Sequence, residues 1–158
     1  MEKPIKLYID TSVWNFALEI ERSGSTLTSE FLELLQSNEY VVVISDVVQA
    51  EILAAPELRK NQLKELIDLI NAETVISNKE AENLAIIYIE EGLIPEKHYD
   101  DALHVATATI NRCNFIVSWN FQHIVKAKVI MGVHHINHRE GYGLIEIVSP
   151  QLFMGKKE

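Results

Sequence analysis

The sequence predicts an α/β protein, a three-layer α/β/α sandwich built around a central and mainly parallel β-sheet. Short apolar segments alternate along the chain with longer segments in which apolar residues recur at helical spacing. The short segments lack the polar–apolar alternation of strands with one face in water, so we expect strands that are buried on both faces. Strands that alternate with helices indicate a parallel sheet covered by helices on both sides.

Five segments have the composition of buried strands. The first is an apolar run near the N-terminus, and the second is almost wholly β-branched. Ser149 and Pro150 close the last of them. The predicted strands cover residues 7–9, 40–44, 73–76, 115–118 and 144–148.

Polar residues, Gly and Pro mark the predicted helix boundaries. Ser45 can cap the helix after the second strand, Pro56 stands where another helix can begin, and Gly92 ends the fifth. Residues 77–80, Ser-Asn-Lys-Glu, form a capping box. The segment from Asp100 onwards is rich in small apolar residues, which favours a central helix packed closely on the sheet. The predicted helices cover residues 13–21, 28–35, 46–55, 57–71, 79–91, 100–110 and 122–128.

Length and composition favour a single domain spanning residues 1–158. Hydrophobic residues make up 47% of the 158 residues, which is enough for a substantial core. The formal net charge of −9 argues against a broad basic surface for duplex nucleic acid. It permits an acidic pocket that holds a cation, or a basic partner protein.

Cysteine content and the N-terminus favour a cytoplasmic protein. Cys113 is the only cysteine, so neither an internal disulfide nor a cysteine-based zinc site is expected. Met1, Glu2, Lys3 and Pro4 lead directly into the first strand, so no signal peptide is expected. No apolar run approaches the roughly 18 residues of a membrane-spanning helix, so we expect no membrane association.

Four polar residues occupy comparable places in this predicted fold. Asp10 ends the first strand, and Asn120 follows the fourth. Glu51 lies two helical turns beyond the second strand, and Asp101 is in the first turn of the central helix. Right-handed crossovers bring strand ends, and the helices that start there, to one edge of a sheet. We therefore expect all four residues at one pocket, where ligands gather in open α/β sheets.

Paired acids at such an edge are typical of a divalent-cation site. Mg²⁺ and Mn²⁺ take oxygen ligands, and two or three carboxylates suffice when a phosphate supplies the rest. Such an ion polarises the phosphoryl group and activates a water molecule for attack on phosphorus. Without the ion the carboxylates repel one another, so the pKa of at least one should rise.

Each of these residues also has a purely structural interpretation. Asp10 can cap the next helix, Glu51 can be a solvated helix charge, and Asp101 can interact with the helix dipole. Asn120 is a common turn residue. Asp100 points about 100° away from Asp101 around the helix, so we assign it to the solvated face. The joint pattern of the four residues favours a site.

Four segments together resemble the PIN domain family. They are Ile9-Asp10-Thr11-Ser12, Ser45-Asp46-Val47-Val48-Gln49-Ala50-Glu51-Ile52, Asp101-Ala102-Leu103-His104-Val105-Ala106-Thr107-Ala108 and Val117-Ser118-Trp119-Asn120-Phe121. Their order and spacing match across nearly the whole length. The chain is most similar to the single-domain, VapC-like toxins of prokaryotic toxin–antitoxin pairs.

The resemblance implies a Mg²⁺- or Mn²⁺-dependent endoribonuclease in which Asp10, Glu51 and Asp101 bind the metal. Asn120 matches a fourth position that is Asp in many members and Asn in others, and is expected to act as a neutral oxygen ligand or to hold water. Ser12 matches a small polar position that helps to orient the first acid. Ser118 is a weaker supporting candidate of the same kind.

The resemblance also implies partners. RNA is the expected substrate, and the chain is expected to form a homodimer and to bind a small antitoxin. A basic antitoxin segment inserted among the acids would replace the charge of the metal. A partner or a second copy could also complete a substrate groove, since Lys126, Lys128 and Arg139 are the only basic residues that we place near the site edge.

Histidines give a weaker signal. His134, His135 and His138 have a spacing that suits zinc in a helix, but Gly132 and Gly141 nearby favour a loop. His104 and His123 each follow a predicted site residue by three positions. Contact with phosphate is conceivable for either, and we interpret both as structural histidines.

Two other functions are compatible with the same acids. A phosphatase or phosphoacceptor domain would use Asp10 as a nucleophile. Its haloacid-dehalogenase form needs a second Asp two residues on, where this chain has Ser12. A non-catalytic binding module on the PIN fold would not need the acids, all three of which are present.

Overall fold

The computed structural model describes residues 3–37 and 39–155, which form one five-stranded sheet, seven α-helices and two short 3₁₀ helices. The strands are β1 (Ile5–Ile9), β2 (Tyr40–Ser45), β3 (Glu73–Val75), β4 (Phe115–Val117) and β5 (Glu146–Val148). The α-helices are α1 (Thr11–Leu18), α2 (Ser25–Leu35), α3 (Asp46–Leu53), α4 (Glu57–Ile70), α5 (Lys79–Glu90), α6 (Tyr99–Ile110) and α7 (Ala127–Arg139). The 3₁₀ helices are Glu96–His98 and Pro150–Phe153. Met1 and Glu2, which precede the first strand in the sequence, lie outside the described residues.

The sheet is parallel throughout, with the strand order β3-β2-β1-β4-β5. Leu7 of the central strand β1 pairs with Val42 of β2 on one side and with Phe115 of β4 on the other. Leu7, Tyr8 and Ile9 are completely buried. The prediction of a parallel sheet whose strands are covered on both faces is confirmed.

Two groups of helices cover the two faces of the sheet. The chain moves from β1 to β2 and β3 in one direction, then crosses to β4 and β5 in the opposite direction. Right-handed crossovers therefore place α1–α4 on one face and α5–α7 on the other. The packing agrees, because α1 contacts α2, α3 and α4, whereas α5 contacts α6 and α7. Within the described ranges, no helix combines the length and the apolar character needed to cross a membrane.

The histidine-rich segment is helical, and the prediction of a loop there is wrong. The helix α7 spans Ala127–Arg139, whereas the sequence pattern placed a shorter helix at residues 122–128. The misleading residue is Gly132, on which a Cβ would lie 2.3 Å from the side chain of Leu93. Glycine here allows the loop that carries Leu93 to approach the helix closely, so it does not mark a helix end.

The three histidines of α7 do not take part in a group of three metal-ligating side chains among the described residues. His134 Nε2 instead lies 3.0 Å from the carbonyl oxygen of Ile145, a contact in which the ring N–H donates. His135 and His138 are exposed on the helix surface.

The capping box predicted at residues 77–80 is replaced by a different arrangement. Asn78 is the N-cap of α5, and its side chain accepts a hydrogen bond from the backbone N–H of Ala81 at 3.0 Å. Ser77 instead donates its backbone N–H and its hydroxyl to the two carboxylate oxygens of Asp46, each at 2.7 Å. The same polar residues therefore begin the helix and also tie it to the start of α3.

Candidate active site

Asp10 lies at the carboxyl end of β1, where the direction of the crossovers reverses between β1 and β4. This switch point is the usual ligand position in an open parallel sheet, because the chain leaves it on both sides. The Asp10 carboxylate is 3% exposed and is held from two directions. Its Oδ1 accepts the backbone N–H and the hydroxyl of Ser12, and its Oδ2 accepts the hydroxyl of Ser118 at 2.6 Å.

Ser12 and Ser118 connect Asp10 to the segment after β4. The hydroxyl oxygen of Ser118 accepts the backbone N–H of Asn120, and that of Ser12 accepts the backbone N–H of Trp119, each at 2.9 Å. Both serines are thus placed to orient the first acid. Asp10 also caps α1 through the Ser12 N–H, so the structural and the functional interpretations of Asp10 apply to the same geometry.

Glu51 ends a chain of buried hydrogen bonds that starts in the sheet. Tyr8 on β1 contacts Ser45 at 2.6 Å and His104 Nδ1 at 2.7 Å. His104 Nε2 lies 2.6 Å from Glu51 Oε1, which also accepts the hydroxyl of Thr11 at 3.1 Å. This series of hydrogen bonds links α3 to α6 and fixes one oxygen of Glu51. The sequence indicates it only through His104, a single histidine in a helix of small apolar residues.

The charges of Asp10, Glu51 and Asp101 influence one another, and the pKa values of Asp10 and Asp101 are raised. Burial raises the pKa of Asp10, against the nearby charge of His104 and the serine hydrogen bonds, and the charge of Glu51 raises it further. Burial also raises the pKa of Asp101, against the charge of His104, and the charge of Asp10 adds to the rise. The predicted rise in the pKa of at least one carboxyl is therefore present in both Asp10 and Asp101.

His104 supplies the charge that opposes this repulsion. Burial by itself would lower the pKa of His104, but the hydrogen bond and charge of Glu51, with the charges of Asp10 and Asp101, raise it above its ordinary value. Burial raises the pKa of Glu51, but the hydrogen bond and charge of His104 outweigh that effect and lower it. His104 therefore forms a hydrogen bond with Glu51 and acts electrostatically on Asp10, Glu51 and Asp101.

The ligand atoms of Asp10, Glu51 and Asp101 do not all lie within 4.8 Å of one another. In the part of the chain that the structure describes, the group that meets this limit is His98, Asp101 and His123. The predicted acids thus interact electrostatically around His104, but they lie too far apart to be three direct ligands of one ion. An ion held by all three would bind at least one of them through a water molecule. The sequence analysis did not select His98, which precedes Asp101 by one helical turn.

Asn120 is used by the turn that follows β4. Its side-chain Oδ1 accepts the backbone N–H of His123 at 3.0 Å, and its backbone carbonyl accepts the N–H groups of Ile124 and Val125. A hydrogen bond from the Asn120 side chain also lowers the pKa of Asp101 in opposition to burial. Asn120 therefore lies beside Asp101, as predicted, while it shapes the turn that carries His123.

A cavity of about 650 Å³, here called the edge cavity, opens beside these residues and is lined in part by Ser12, Asp101 and Asn120. Asp10 and Glu51 are not among its lining residues. Its wall carries aromatic and cationic groups that the sequence analysis did not select. Phe16 and Trp119 stack with centroids 5.1 Å apart, the Arg22 guanidinium lies 3.9 Å from the Phe16 centroid, and Phe121 is 51% exposed.

Of the basic residues expected near the site edge, Arg139 lies elsewhere, since it pairs with Glu91 and Glu140 and does not line the edge cavity. Lys126 and Lys128 do not line the cavity either, although the charge of Lys126 acts on His123. Arg22 lines the cavity, and the sequence pattern had not singled it out.

A profile of the PIN domain family matches residues 7–124, which is more than half of the chain, and the chain therefore belongs to the PIN domain family. The resemblance found in the four sequence segments is confirmed. No curated protein sequence matches the chain.

Two solved structures share the fold. VapBC2 of Rickettsia felis, bound to a DNA fragment from its promoter, has a TM-score of 0.56 at 18% identity, over 91% of this chain and 98% of that chain. VapC20 of Mycobacterium tuberculosis, described as a toxin that cleaves the sarcin–ricin loop, has a TM-score of 0.57 at 13% identity, over 74% of this chain and 92% of that chain. At these identities the likeness shows the fold alone.

We expect Asp101→Asn to stabilise the metal-free protein increasingly as the pH rises. The folded pKa of Asp101 is raised, so its contribution to stability is fully present below the unfolded pKa and is lost as the pH rises through the folded pKa. Asparagine does not ionise and escapes that loss. Urea unfolding in EDTA from about pH 4 to about pH 7 measures the difference between the two free energies of unfolding.

The matched control is Asp100→Asn, which removes a charge from the adjacent, exposed position in the same helical turn. Both substitutions lose the favourable interaction with the helix dipole. If the stability gained over wild type depends on pH equally in both variants, or does not depend on pH in Asp101→Asn, the raised pKa of Asp101 is contradicted.

Proposed function

We propose that this PIN domain is a Mg²⁺- or Mn²⁺-dependent endoribonuclease that hydrolyses phosphodiester bonds in RNA. The observation that supports this most is the placement of Asp10. It is a buried carboxylate at the switch point of the sheet, and burial, together with the charge of Glu51, raises its pKa. A buried carboxylate with a raised pKa gains most from a cation, because the cation offsets both the burial and the repulsion.

The donor set fits a hard divalent cation. Asp10, Glu51 and Asp101 would hold the ion, with Asn120 assisting, and carboxylate and amide oxygens are the ligands that Mg²⁺ and Mn²⁺ take. When bound, the ion would polarise the phosphoryl group and lower the pKa of a water molecule. Ser12 and Ser118 orient Asp10 for this role. His104 fixes one oxygen of Glu51, and the other oxygen has no hydrogen-bond partner among the described residues.

Single-stranded RNA suits the edge cavity better than a duplex does. Unpaired bases stack on aromatic side chains and guanidinium planes, and the exposed side chains of Phe121 and Arg22 offer such surfaces at the edge cavity, beside Asp101. The net charge of −9 disfavours a long duplex contact, which needs many basic residues. VapC20, which shares the fold, is described as cleaving the sarcin–ricin loop.

The same comparisons with solved structures support a toxin–antitoxin role. We propose that the chain is a cytoplasmic toxin that forms a homodimer and binds a small antitoxin, as VapC-like proteins do. A chain in the solved VapBC2 structure has the same fold. A basic antitoxin segment would also complement the carboxylates of this site, among which the pKa of Asp10 is raised by burial.

The geometry argues against the phosphoacceptor alternative. A nucleophilic carboxylate needs one oxygen open to in-line approach at phosphorus. In Asp10 both oxygens accept hydrogen bonds, and the residue is 3% exposed. RNA cleavage, measured as below, distinguishes a nuclease from a non-catalytic binding module.

We expect wild type to cleave single-stranded RNA with Mg²⁺ or Mn²⁺ and to stop when EDTA is added. Asp10→Asn and Asp101→Asn should each lower the rate by at least about a hundredfold, because a lost metal ligand removes several kcal/mol of transition-state stabilisation. Gel-resolved cleavage of a labelled RNA at fixed enzyme concentration gives the rates. Asp100→Asn is the control and should keep the wild-type rate. Cleavage that persists in EDTA, or in both acid variants, would exclude the proposed chemistry.

We expect Phe121→Ala to weaken the binding of a short single-stranded RNA. Loss of one stacked base costs about 1–3 kcal/mol, which corresponds to about a 5- to 150-fold rise in the dissociation constant. Fluorescence anisotropy with Asp101→Asn as the background prevents cleavage during the measurement. Leu58→Ala changes another exposed apolar residue, on α4 and outside the edge cavity, and serves as the control. Equal affinities in the two variants would rule out stacking on Phe121.

A further inference from the structure

A second set of ligand atoms lies beside the acids described above. His98, Asp101 and His123 each place one ligand atom within 4.8 Å of the other two. The two imidazole rings lie with centroids 3.7 Å apart, and Asp101 Oδ2 is 3.8 Å from His98 Nδ1. All three residues line the edge cavity, so two imidazoles and one carboxylate meet at a point that solvent can reach.

We propose that His98, Asp101 and His123 form a binding site for a divalent transition-metal ion of the Zn²⁺ or Co²⁺ type. Two nitrogens and one oxygen are ligands that such ions accept readily, whereas Mg²⁺ takes oxygen ligands. Three protein ligands also leave a coordination position open toward the cavity. The site shares Asp101 with the hard-cation site of the proposed nuclease, but it differs from that site in its two imidazole ligands.

Binding requires the ligand atoms to move closer and the rings to rotate. Zinc–nitrogen bonds of about 2.0–2.1 Å put tetrahedral ligand atoms about 3.4 Å apart, so atoms that lie up to 4.8 Å apart must approach one another by up to about 1.4 Å. The two rings are stacked at 25°, so they must also rotate before both nitrogens point at one ion. The His98 side chain is 33% exposed and that of Asp101 is 21% exposed. Rotation of partly exposed rings can supply this movement without a change in the backbone.

Two backbone features place the ligands independently of one another. His98 ends the 3₁₀ helix that leads into α6, and it precedes Asp101 by three residues, so both lie on one side of the helix start. His123 is held by Asn120, whose side-chain Oδ1 accepts its backbone N–H at 3.0 Å. Asn120 thus fixes the backbone of His123 beside Asp101, at the position where many PIN domains have a fourth acid.

His123 also carries an unmet bonding capacity. Its Nδ1 atom is buried and has no hydrogen-bond partner among the described residues. A buried polar atom without a partner costs about 1–3 kcal/mol, so such atoms are rare unless something else satisfies them. Movement of the ring toward a metal ion would relieve this cost.

The test uses Co²⁺, whose visible d–d absorption reports coordination without any need for activity. The full chain, freed of metal, is titrated with Co²⁺ in the absence of Mg²⁺, because the two sites share Asp101 and Mg²⁺ would compete for it. We expect one equivalent of Co²⁺ per chain to bind. His98→Gln and His123→Gln should each weaken that binding by about tenfold or more, since even the loss of a residue that supports a ligand costs about that much. Thermal melts in EDTA establish that each variant is folded.

His134→Gln is the matched control, because His134 and His138 lie one helical turn apart on α7 and are the chain's other candidate histidine pair. This control should bind Co²⁺ as wild type does. The inference is overturned if wild type shows no band, if the band survives both His98→Gln and His123→Gln, or if His134→Gln removes it. The role of the ion in catalysis rests on the proposed function, but RNA cleavage with Mg²⁺ alone is measured separately. A missing band with intact cleavage therefore rejects only this site.

Discussion

The hydrogen bond between His104 and Glu51 is the contact on which the arrangement of the acids depends. It joins α3 on one face of the sheet to α6 on the other, across the carboxyl ends of the central strands. Burial raises the pKa values of Asp10 and Asp101, and the charge of a neighbouring carboxylate raises each further. His104 acts against this rise, and its hydrogen bonds with Glu51 and with Tyr8 on the sheet side keep the ring in place.

The fold explains why the acids meet where they do. In the order β3-β2-β1-β4-β5 the crossovers leave β1 and β4 in opposite directions, which opens a crevice between the ends of these strands. Asp10 lies on one side of that crevice, and Ser118 lies on the other and donates to it. The α6 helix brings Asp101 to the same edge. The aromatic wall of the edge cavity lies beside this crevice because Trp119 and Phe121 continue the chain beyond β4.

Local patterns predicted the strands, the cap at Ser45 and the elements that carry the acids, because each depends on neighbours in the sequence. Residues 7–9 and 40–44 are apolar and β-branched enough to be buried strands in any context. Contacts between distant segments were not predictable in this way. Gly132 looked like a break because its reason, the close approach of Leu93, lies 39 positions away in the sequence. The proximity of His98 and His123 was likewise not predictable from neighbours in the sequence, because it depends on the turn that Asn120 shapes.

We propose that Asp10, Glu51 and Asp101 bind one cation at the edge of the sheet, directly or through water. Anomalous diffraction from crystals grown with Mn²⁺ can locate that ion, because Mn²⁺ gives an anomalous signal at wavelengths where carbon, nitrogen and oxygen give almost none. An anomalous peak is expected within bonding distance of carboxylate oxygens of Asp10 and Asp101, with Glu51 bound directly or through water. Crystals saturated with Mn²⁺ that show no peak among these three residues would contradict it.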